Sequence, residues 1–375
     1  MCLFVWAGSG TCVSAQVEVS SPSAILMEAH TGEVIYEKNP DERRSPASIT
    51  KIMTMLLAFE AMAEGKVSLT DEVYTSEYAA SMGGSQVFLE TGEIQTLDTL
   101  LKCIAVASGN DASVAVAEHI AGSEEAFVSL MNEKAVALGM ENTHFEDCCG
   151  LSNSDNHYTT ARDVATMSRE LISKHPEVFT YSQIWSEDIT HVTRRGEEVF
   201  TLNSTNKLLK QYPYTTGLKT GSTDKAKYCL SATASKDGLD LVAVIMGASD
   251  YKVRFSEAQS LLNYGFANVT FYEDTQMPEL PVMKVDRGKE ETLELLYEGG
   301  FSFLDKQGRD LTMLRKELIL PETISAPVEE GAQIGRLVYF LDKEPIGEVL
   351  IRSSHAVEEA GYVDYLIEVL DYFLL

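Results

Sequence analysis

The segment Ser45-Pro46-Ala47-Ser48-Ile49-Thr50-Lys51 is followed by the apolar run Ile52-Met53-Thr54-Met55-Leu56-Leu57-Ala58-Phe59. A proline among small residues is typical of a helix start, and the apolar side chains that follow recur at helical spacing. This pattern predicts a buried helix with Ser48 in its first turn. Because Ser48 and Lys51 are three residues apart, the helix would carry a hydroxyl and an ammonium on one face.

A serine and a lysine in this arrangement suit nucleophilic catalysis. A serine can attack a carbonyl once a base removes its proton, and a lysine can act as that base when burial lowers its pKa. The alternative is a helix-capping Ser48 with a surface Lys51, and such pairs are common in chains of this length. The pair by itself therefore does not establish a catalytic site.

The composition is that of a folded soluble protein. The chain has 375 residues, of which 45% are hydrophobic and 23% are charged, and this length allows two or three domains. Thirty basic against 57 acidic residues give a net charge of −27. Because phosphate binding requires a basic surface, this balance argues against a nucleic-acid partner.

Residues 1–15 are uncharged, mostly apolar or small, and end in Val13-Ser14-Ala15. A small-x-small ending is typical of signal-peptide cleavage, so we expect a signal peptide, truncated at its basic start, and an exported protein. A buried N-terminal strand is the alternative, although Gly8 and Gly10 would interrupt it. No later run reaches about 18 uncharged apolar residues, so no conventional transmembrane helix is expected.

The cysteines and histidines do not form a metal-binding pattern. Four cysteines follow the predicted signal peptide: Cys103, Cys148, Cys149 and Cys229. Their spacing matches no zinc or redox motif, and adjacent cysteines cannot readily bridge one another. We expect Cys103 and Cys229 to be small buried apolar residues. The histidines are scattered and no phosphate-binding glycine loop is present, so the sequence predicts neither a metal nor a nucleotide cofactor.

Strand patterns flank a helical middle. Helices are predicted from residue 48 and at 96–106, 111–121, 124–138, 160–174 and 254–266; strands are predicted at 23–29, 33–37, 219–222, 228–235 and 239–248. The last two strands are joined across Asp237-Gly238, a dipeptide that favours hairpins. Hairpin-connected strands around a helical middle predict an α+β domain in which helices pack on an antiparallel sheet.

A different pattern begins after Pro278. Short β-like runs at 281–285, 292–297, 311–320 and 336–341 are separated by Gly, Pro and acidic turns, which predicts a small all-β domain at 278–355. Residues 356–375 are predicted to form an amphipathic helix that could associate peripherally with a membrane. Its polar stripe is acidic, which disfavours anionic lipids, so packing on its own domain is the alternative.

Three short motifs follow one another along the chain: Ser48-x-x-Lys51, Ser108-Gly109-Asn110 and Lys219-Thr220-Gly221. Each motif is weak alone. Together they fall at a helix start, in an interhelical loop and on a strand that opens a hairpin, which is a context suited to chemistry by a serine nucleophile.

The chain therefore resembles the penicillin-recognising serine enzymes. The surrounding segments 45–54, 107–112, 156–163 and 217–221 resemble the low-molecular-weight penicillin-binding proteins that are serine-type D-alanyl-D-alanine carboxypeptidases. The resemblance covers residues 20–272 with specific motifs and the following β domain more loosely. It implies a β-lactamase/transpeptidase-like catalytic domain, a peptidoglycan pentapeptide substrate, inhibition by β-lactam antibiotics, and a location at the cell wall or the outer face of the cytoplasmic membrane.

The resemblance also implies a role for each motif residue. Ser48 attacks the amide between the two terminal D-alanines, Lys51 accepts its proton, and Ser108 relays a proton to the departing amine. Backbone N–H groups of Ser48 and Ser222 stabilise the oxyanion. The remaining predicted substrate-binding residues are Asn110, Lys219, Thr220, Gly221, Ser222 and Arg254.

Two alternatives remain at the level of the sequence. A β-lactamase is disfavoured by Gly109, where class A enzymes have aspartate, by the absence of a Glu-x-x-Leu-Asn motif, and by the appended β domain. A catalytically inactive cell-wall-binding protein is disfavoured because all motif residues are present. Ser222 departs from the histidine that some family members carry after Lys-Thr-Gly, and for Arg254 the plain alternative is a surface charge on a helix.

Overall fold

A computed structural model describes residues 17–193 and 196–374. The chain divides into two compact units: the first ends at Asn268 and the second begins at Val269. The predicted signal peptide at 1–15 lies outside the described residues.

The first unit contains most of the helices. Its strands are β1 (Ser23–Glu28), β2 (Val34–Lys38), β3 (Glu72–Tyr74), β4 (Ile94–Thr96), β5 (Ser186–Thr193), β6 (Gly196–Asn203), β7 (Thr215–Thr223), β8 (Lys227–Lys236) and β9 (Leu239–Ala248). Its helices are α1 (Lys51–Ala63), α2 (Glu77–Ala80), α3 (Leu97–Lys102), α4 (Asn110–Ala121), α5 (Glu124–Ala137), α6 (Ala161–Lys174), α7 (Phe179–Ser182), α8 (Leu208–Gln211) and α9 (Tyr251–Asn268).

Five strands form the antiparallel sheet of this unit, in the order β2-β1-β9-β8-β7. Strand β9 is buried along its whole length except at Asp240, because α6 and α9 both pack against it. Its nearly continuous apolar sequence is what a strand covered on both faces requires. The expectation of an α+β domain with an antiparallel sheet packed by helices is confirmed.

Helix α1 lies at the centre of the unit. Ten of its residues are buried, from Lys51 to Ala61, and it packs on α4, α5 and α6. The alanines of α4 allow this close packing, since Ala112, Ala115 and Ala117 are fully buried. Helix α1 is thus fixed on several sides, and its N-terminus presents the serine segment to the edge of the sheet.

Two predicted helices begin or end differently in the structure. Ser48 lies in a 3-10 turn, Ala47–Thr50, and the α-helix starts only at Lys51. The predicted helix 96–106 is α-helical to Lys102 and continues as a π-turn, Cys103–Ala107. Irregular turns of this kind are frequent at functional sites, and periodicity alone cannot distinguish them from α-helix.

The hairpin of β5 and β6 was not predicted. Its eight paired positions run from Ser186–Asn203 to Thr193–Gly196. Strand β5 alternates exposed and buried residues, whereas β6 is exposed along most of its length. The hydrophobic signal of the second strand was therefore too weak to mark a hairpin.

The second unit is mostly β-structure. Its strands are β10 (Thr270–Glu273), β11 (Met283–Asp286), β12 (Thr292–Leu293), β13 (Leu295–Tyr297), β14 (Ser302–Asp305), β15 (Leu314–Ile319), β16 (Ile324–Ser325), β17 (Gln333–Leu341) and β18 (Glu344–Ser353). They form sheets in the orders β13-β18-β17-β15, β12-β11-β16 and β10-β14. This arrangement confirms the predicted all-β character of this region.

The last helix, α10 (Tyr362–Leu374), begins six residues later than the predicted start at 356. The apolar residues of α10 up to Leu370 are exposed, with Tyr362 at 82% and Ile367 at 52% exposure. In the part of the chain that the structure describes, no helix is both long and apolar enough to cross a membrane.

Candidate active site

The serine turn lies against strand β7. Gly221 of β7 faces the turn so closely that a Cβ atom at this position would lie 2.8 Å from the carbonyl oxygen of Pro46 and 3.1 Å from the backbone nitrogen of Ile49. Only glycine allows this approach. The close approach brings the backbone of Ser222 next to the serine turn, while the Ser222 side chain remains exposed.

Lys51 connects the first two motifs. Its Nζ lies 3.1 Å from Ser48 Oγ, 2.6 Å from Asn110 Oδ1 and 2.7 Å from the carbonyl oxygen of Cys149. The side chain is fully buried, and all three of these partners are formally neutral. The predicted burial of Lys51 is confirmed.

The burial of Lys51 destabilises its charged form. Burial lowers the pKa of the Lys51 ammonium, although the negative charges of Asp147 and Asp111 act in the opposite direction. In a neutral amine, Asn110 Oδ1 and the Cys149 carbonyl take the two N–H groups, and the lone pair then faces Ser48 Oγ. The geometry thus suits removal of the Ser48 proton by Lys51.

Ser108 and Asn110 follow the π-turn. Ser108 has a left-handed backbone, with φ 62° and ψ 34°, and its Oγ is buried with no hydrogen-bond partner among the described residues. Asn110 donates from Nδ2 to the carbonyl oxygen of Gly83 at 2.7 Å, while its Oδ1 accepts from Lys51. A buried hydroxyl without a partner is rare in proteins and is available to a ligand.

Lys219 lies on β7 and is only 1% exposed. Its Nζ donates to the carbonyl oxygen of Thr220 at 3.3 Å. Burial lowers the Lys219 pKa strongly, and the positive charges of Lys51 and Arg254 lower it further. The hydroxyl of Thr220 donates to Thr205 Oγ1 at 2.7 Å, which fixes the rotamer of this predicted substrate-binding residue.

Arg254, on the first turns of α9, is 8% exposed rather than a surface charge. Its Nη1 donates to the carbonyl oxygens of Gly221 at 3.0 Å and of Cys229 at 3.2 Å. Burial lowers the Arg254 pKa. The guanidinium therefore lies directly behind the β7 backbone at Gly221 and adds positive charge there.

The predicted residues form two contact groups. Ser48, Lys51 and Asn110 are linked through the lysine amine, and Arg254 is linked to Gly221. Lys219 and Ser108 make no hydrogen bond with each other, since among the described residues Ser108 Oγ has no hydrogen-bond partner. Their side chains remain free to meet through a bound substrate.

The loop at 145–158 also contributes to the site. It supplies the Cys149 carbonyl to Lys51, and its Asp147 carboxylate accepts hydrogen bonds from the loop backbone. His157 is 1% exposed and its Nε2 lies 2.9 Å from Thr50 Oγ1. Gly150 and Asp147 are visible in the sequence and could have drawn attention to this loop. Nothing in a sequence, however, marks one backbone carbonyl as a functional group.

Comparison with known proteins assigns both units. Residues 10–250 match the family model of D-alanyl-D-alanine carboxypeptidases. Residues 266–359 match the model of the C-terminal domain of penicillin-binding protein 5. The two matches fall on the two structural units.

Relatives match over nearly the whole chain. D-alanyl-D-alanine carboxypeptidase DacF of Bacillus subtilis is 42% identical over 94% of this chain and 90% of its own length. Penicillin-binding protein 5 of Haemophilus influenzae superposes with a TM-score of 0.78 at 30% identity, over 92% of this chain and 99% of that one. Penicillin-binding protein 6B of Escherichia coli superposes with a TM-score of 0.72 at 27% identity, over 92% and 98% of the two chains. The chain thus belongs to the family of D-alanyl-D-alanine carboxypeptidases, with the penicillin-binding protein fold and its C-terminal β domain.

Proposed function

We propose that the protein is a serine-type D-alanyl-D-alanine carboxypeptidase that removes the terminal D-alanine from peptidoglycan stem peptides. The observation that carries this proposal is the Lys51 amine, which lies 3.1 Å from Ser48 Oγ while two neutral oxygens take its other hydrogen bonds. That arrangement suits a general base that activates a serine nucleophile. Family membership supports the substrate class and reactivity with β-lactam antibiotics.

The reaction proceeds in two steps. Ser48 Oγ bonds to the carbonyl carbon between the two D-alanines as Lys51 takes the Ser48 proton. The C–N bond then breaks, and a proton passes through Ser108 to the departing D-alanine amine. Water attacks the resulting ester, which releases the shortened peptide and restores Ser48.

The remaining residues hold the substrate during these steps. The backbone N–H groups of Ser48 and Ser222 stabilise the oxyanion, because donors placed in advance at a developing charge need no reorganisation. Asn110 binds the peptide backbone. Lys219 supplies positive charge beside Ser108. The hydroxyls of Thr220 and Ser222, together with Arg254, bind the terminal carboxylate.

This function is tested by D-alanine release from a Lys-D-Ala-D-Ala peptide. We expect Ser48→Ala to abolish release and the penicillin adduct, and Ser45→Ala to retain both. Ser45 is the matched control because it lies in the same segment and is absent from the mechanism. A wild-type protein that forms no adduct and releases no D-alanine would contradict the proposal.

We also propose export and peripheral membrane association. Export is supported by the signal-like segment 1–15. Membrane association is supported by exposed apolar residues on α10: Tyr362, Val363, Tyr365, Leu366, Ile367, Val369 and Leu370. Deletion of 362–375 is expected to move the protein from the membrane fraction to the soluble fraction while D-alanine release persists. An unchanged distribution would exclude this role for α10.

A further inference from the structure

The carboxylate of Asp147 accepts hydrogen bonds from four successive backbone N–H groups. These belong to Cys149 at 2.8 Å, Gly150, Leu151 at 3.3 Å and Ser152 at 2.6 Å. The Asp147 side chain is 14% exposed, and the basic side chain nearest to it among the described ion pairs is the His157 ring, at 3.9 Å, whose pKa is lowered by burial. One largely buried carboxylate therefore organises the loop backbone from residue 149 to residue 152.

That backbone reaches the candidate base directly. The Cys149 carbonyl accepts from Lys51 Nζ at 2.7 Å, and its position decides where the remaining lone pair of a neutral Lys51 points. Without this acceptor the amine could rotate, and the lone pair would no longer be held toward Ser48. Misplacement of a reacting group by about 1 Å can reduce a rate about 100-fold.

The same loop lies against the serine turn at Gly150. A Cβ atom there would be 1.8 Å from the carbonyl oxygen of Ala47, at a backbone φ of 79°. His157 adds a second attachment: it accepts the Glu146 N–H at Nδ1 and contacts Thr50 Oγ1 at Nε2. The loop is thus attached to the serine turn at Gly150 and at His157, and Asp147 fixes the backbone on both sides of Gly150.

We propose that Asp147 is a positioning residue for the general base: it binds the backbone at 149–152 and so holds the Cys149 carbonyl against Lys51. The inference deepens the proposed function and rests on Lys51 being the base. It assigns a role in acylation to a side chain that touches neither Ser48 nor Lys51.

The charge of Asp147 gives the proposal a second readout. The titratable groups that act on Lys51 are the thiols of Cys149 and Cys148 and the carboxylates of Asp147 in the loop and Asp111 on α4, all of which raise its pKa. Lys219 of β7 is a positive neighbour. An Asp147→Asn variant keeps the shape but loses the negative charge. The Lys51 pKa then falls further, so the acid limb of the acylation rate moves to lower pH.

The experiment measures the rate of penicillin acylation against pH, together with thermal unfolding. We expect Asp147→Asn to lower the plateau rate about 10-fold and Asp147→Ala about 100-fold, with the acid limb of Asp147→Asn displaced to lower pH. Asp155→Asn is the matched control, since Asp155 lies in the same loop with a fully exposed side chain paired to Lys225. It should keep the wild-type plateau within about twofold and the wild-type limb.

The plateau rate and the position of the acid limb in Asp147→Asn both test the proposal. A plateau in Asp147→Asn equal to that of Asp155→Asn overturns the proposal, and so does a lowered plateau with an unmoved limb, which a purely structural role would give. If Asp147→Ala fails to fold, Asp147→Asn decides alone. A wild-type protein that forms no penicillin adduct refutes the proposed function instead, so the two failures are distinguishable.

Discussion

Buried charges are treated differently in the two units. In the first unit, Lys51 donates to a hydroxyl, an amide oxygen and a carbonyl, and Arg254 donates to two carbonyls. In the second unit, Asp274 accepts from Lys316 at 2.6 Å and from Tyr339 at 2.7 Å. The second unit pairs the Asp274 carboxylate with an opposite charge, whereas the first leaves Lys51 and Arg254 among neutral acceptors.

The difference reflects what each arrangement can do. A paired, hydrogen-bonded ion is held in one protonation state and stabilises the local structure, and loss of one partner leaves a buried charge with a large desolvation cost. A buried lysine without a counter-ion has a lowered pKa and can exchange its proton near neutral pH, whereas a buried arginine stays charged. We therefore expect the first unit to be sensitive in activity and the second in stability.

The largest expected effect comes from Lys51→Met, which keeps the length of the side chain and removes the amine. Acylation by penicillin should fall about 1,000-fold, because a general base contributes about 10² to 10⁴ in rate. The free energy of unfolding should stay within about 1 kcal/mol of wild type, since methionine removes the desolvation cost of a buried ammonium and this gain offsets the lost hydrogen bonds. Denaturant unfolding measures the second quantity. A loss of several kcal/mol would show that Lys51 is mainly structural.

Acidification should separate the two units by pH. Lys51 acts in its neutral form. The acylation rate therefore reaches its maximum above the lowered pKa of Lys51 and falls about tenfold per pH unit below it. Burial acts to raise the Asp274 pKa, but Lys316 and Tyr339 bring it below the usual value. Its stabilisation is therefore present above the pKa of the unfolded state and is lost only as the pH falls through the depressed folded value. Acylation should cease at a higher pH than that at which thermal stability declines, and the reverse order would contradict the comparison.

The variant Lys316→Met should produce the converse phenotype. It leaves the Asp274 carboxylate buried with only Tyr339 as a side-chain partner, which we expect to cost about 1–3 kcal/mol of stability. Acylation measured below the unfolding temperature should remain at the wild-type rate. Calorimetry together with a penicillin-binding assay provides both measurements, and unchanged stability would show that the ion pair contributes little.

The smallest effect is expected for Cys149→Ala. Lys51 contacts the backbone carbonyl of Cys149 and not its thiol, so acylation should change by less than about threefold. The buried sulfur fills space, and its removal should cost about 1 kcal/mol. A fall in acylation comparable to that of Lys51→Met would assign a role to the thiol itself.

The sequence predicted most of the elements on which the site is built. Strand β9 was predicted at its observed bounds, since an apolar run next to Asp237-Gly238 has few other interpretations. The π-turn before Ser108 and the hairpin β5–β6 were missed, because the first has the hydrophobic pattern of a helix and the second is largely exposed. Each miss lies where local sequence carries little information on backbone geometry.

The candidate site shows the same limit. Side chains with an evident chemistry, such as Ser48, Lys51 and Lys219, could be selected from motifs, and the burial of Lys51 was predicted from the apolar helix that follows it. The Cys149 carbonyl could not be selected, because every residue carries one. Asp147 could not be assigned either, since its partners are backbone N–H groups whose positions depend on the folded loop.

The contact between Gly221 and the serine turn has a consequence for assembly. The two proposed oxyanion donors, at Ser48 and Ser222, are separated by about 170 residues of chain, and contacts this distant in sequence form late because the intervening chain must first be ordered. A folding intermediate with helix α1 in place would already hold Ser48 beside Lys51, yet it would lack the second donor. Reactivity toward penicillin should therefore emerge only when β7 docks, which makes covalent labelling a reporter of the final step of folding.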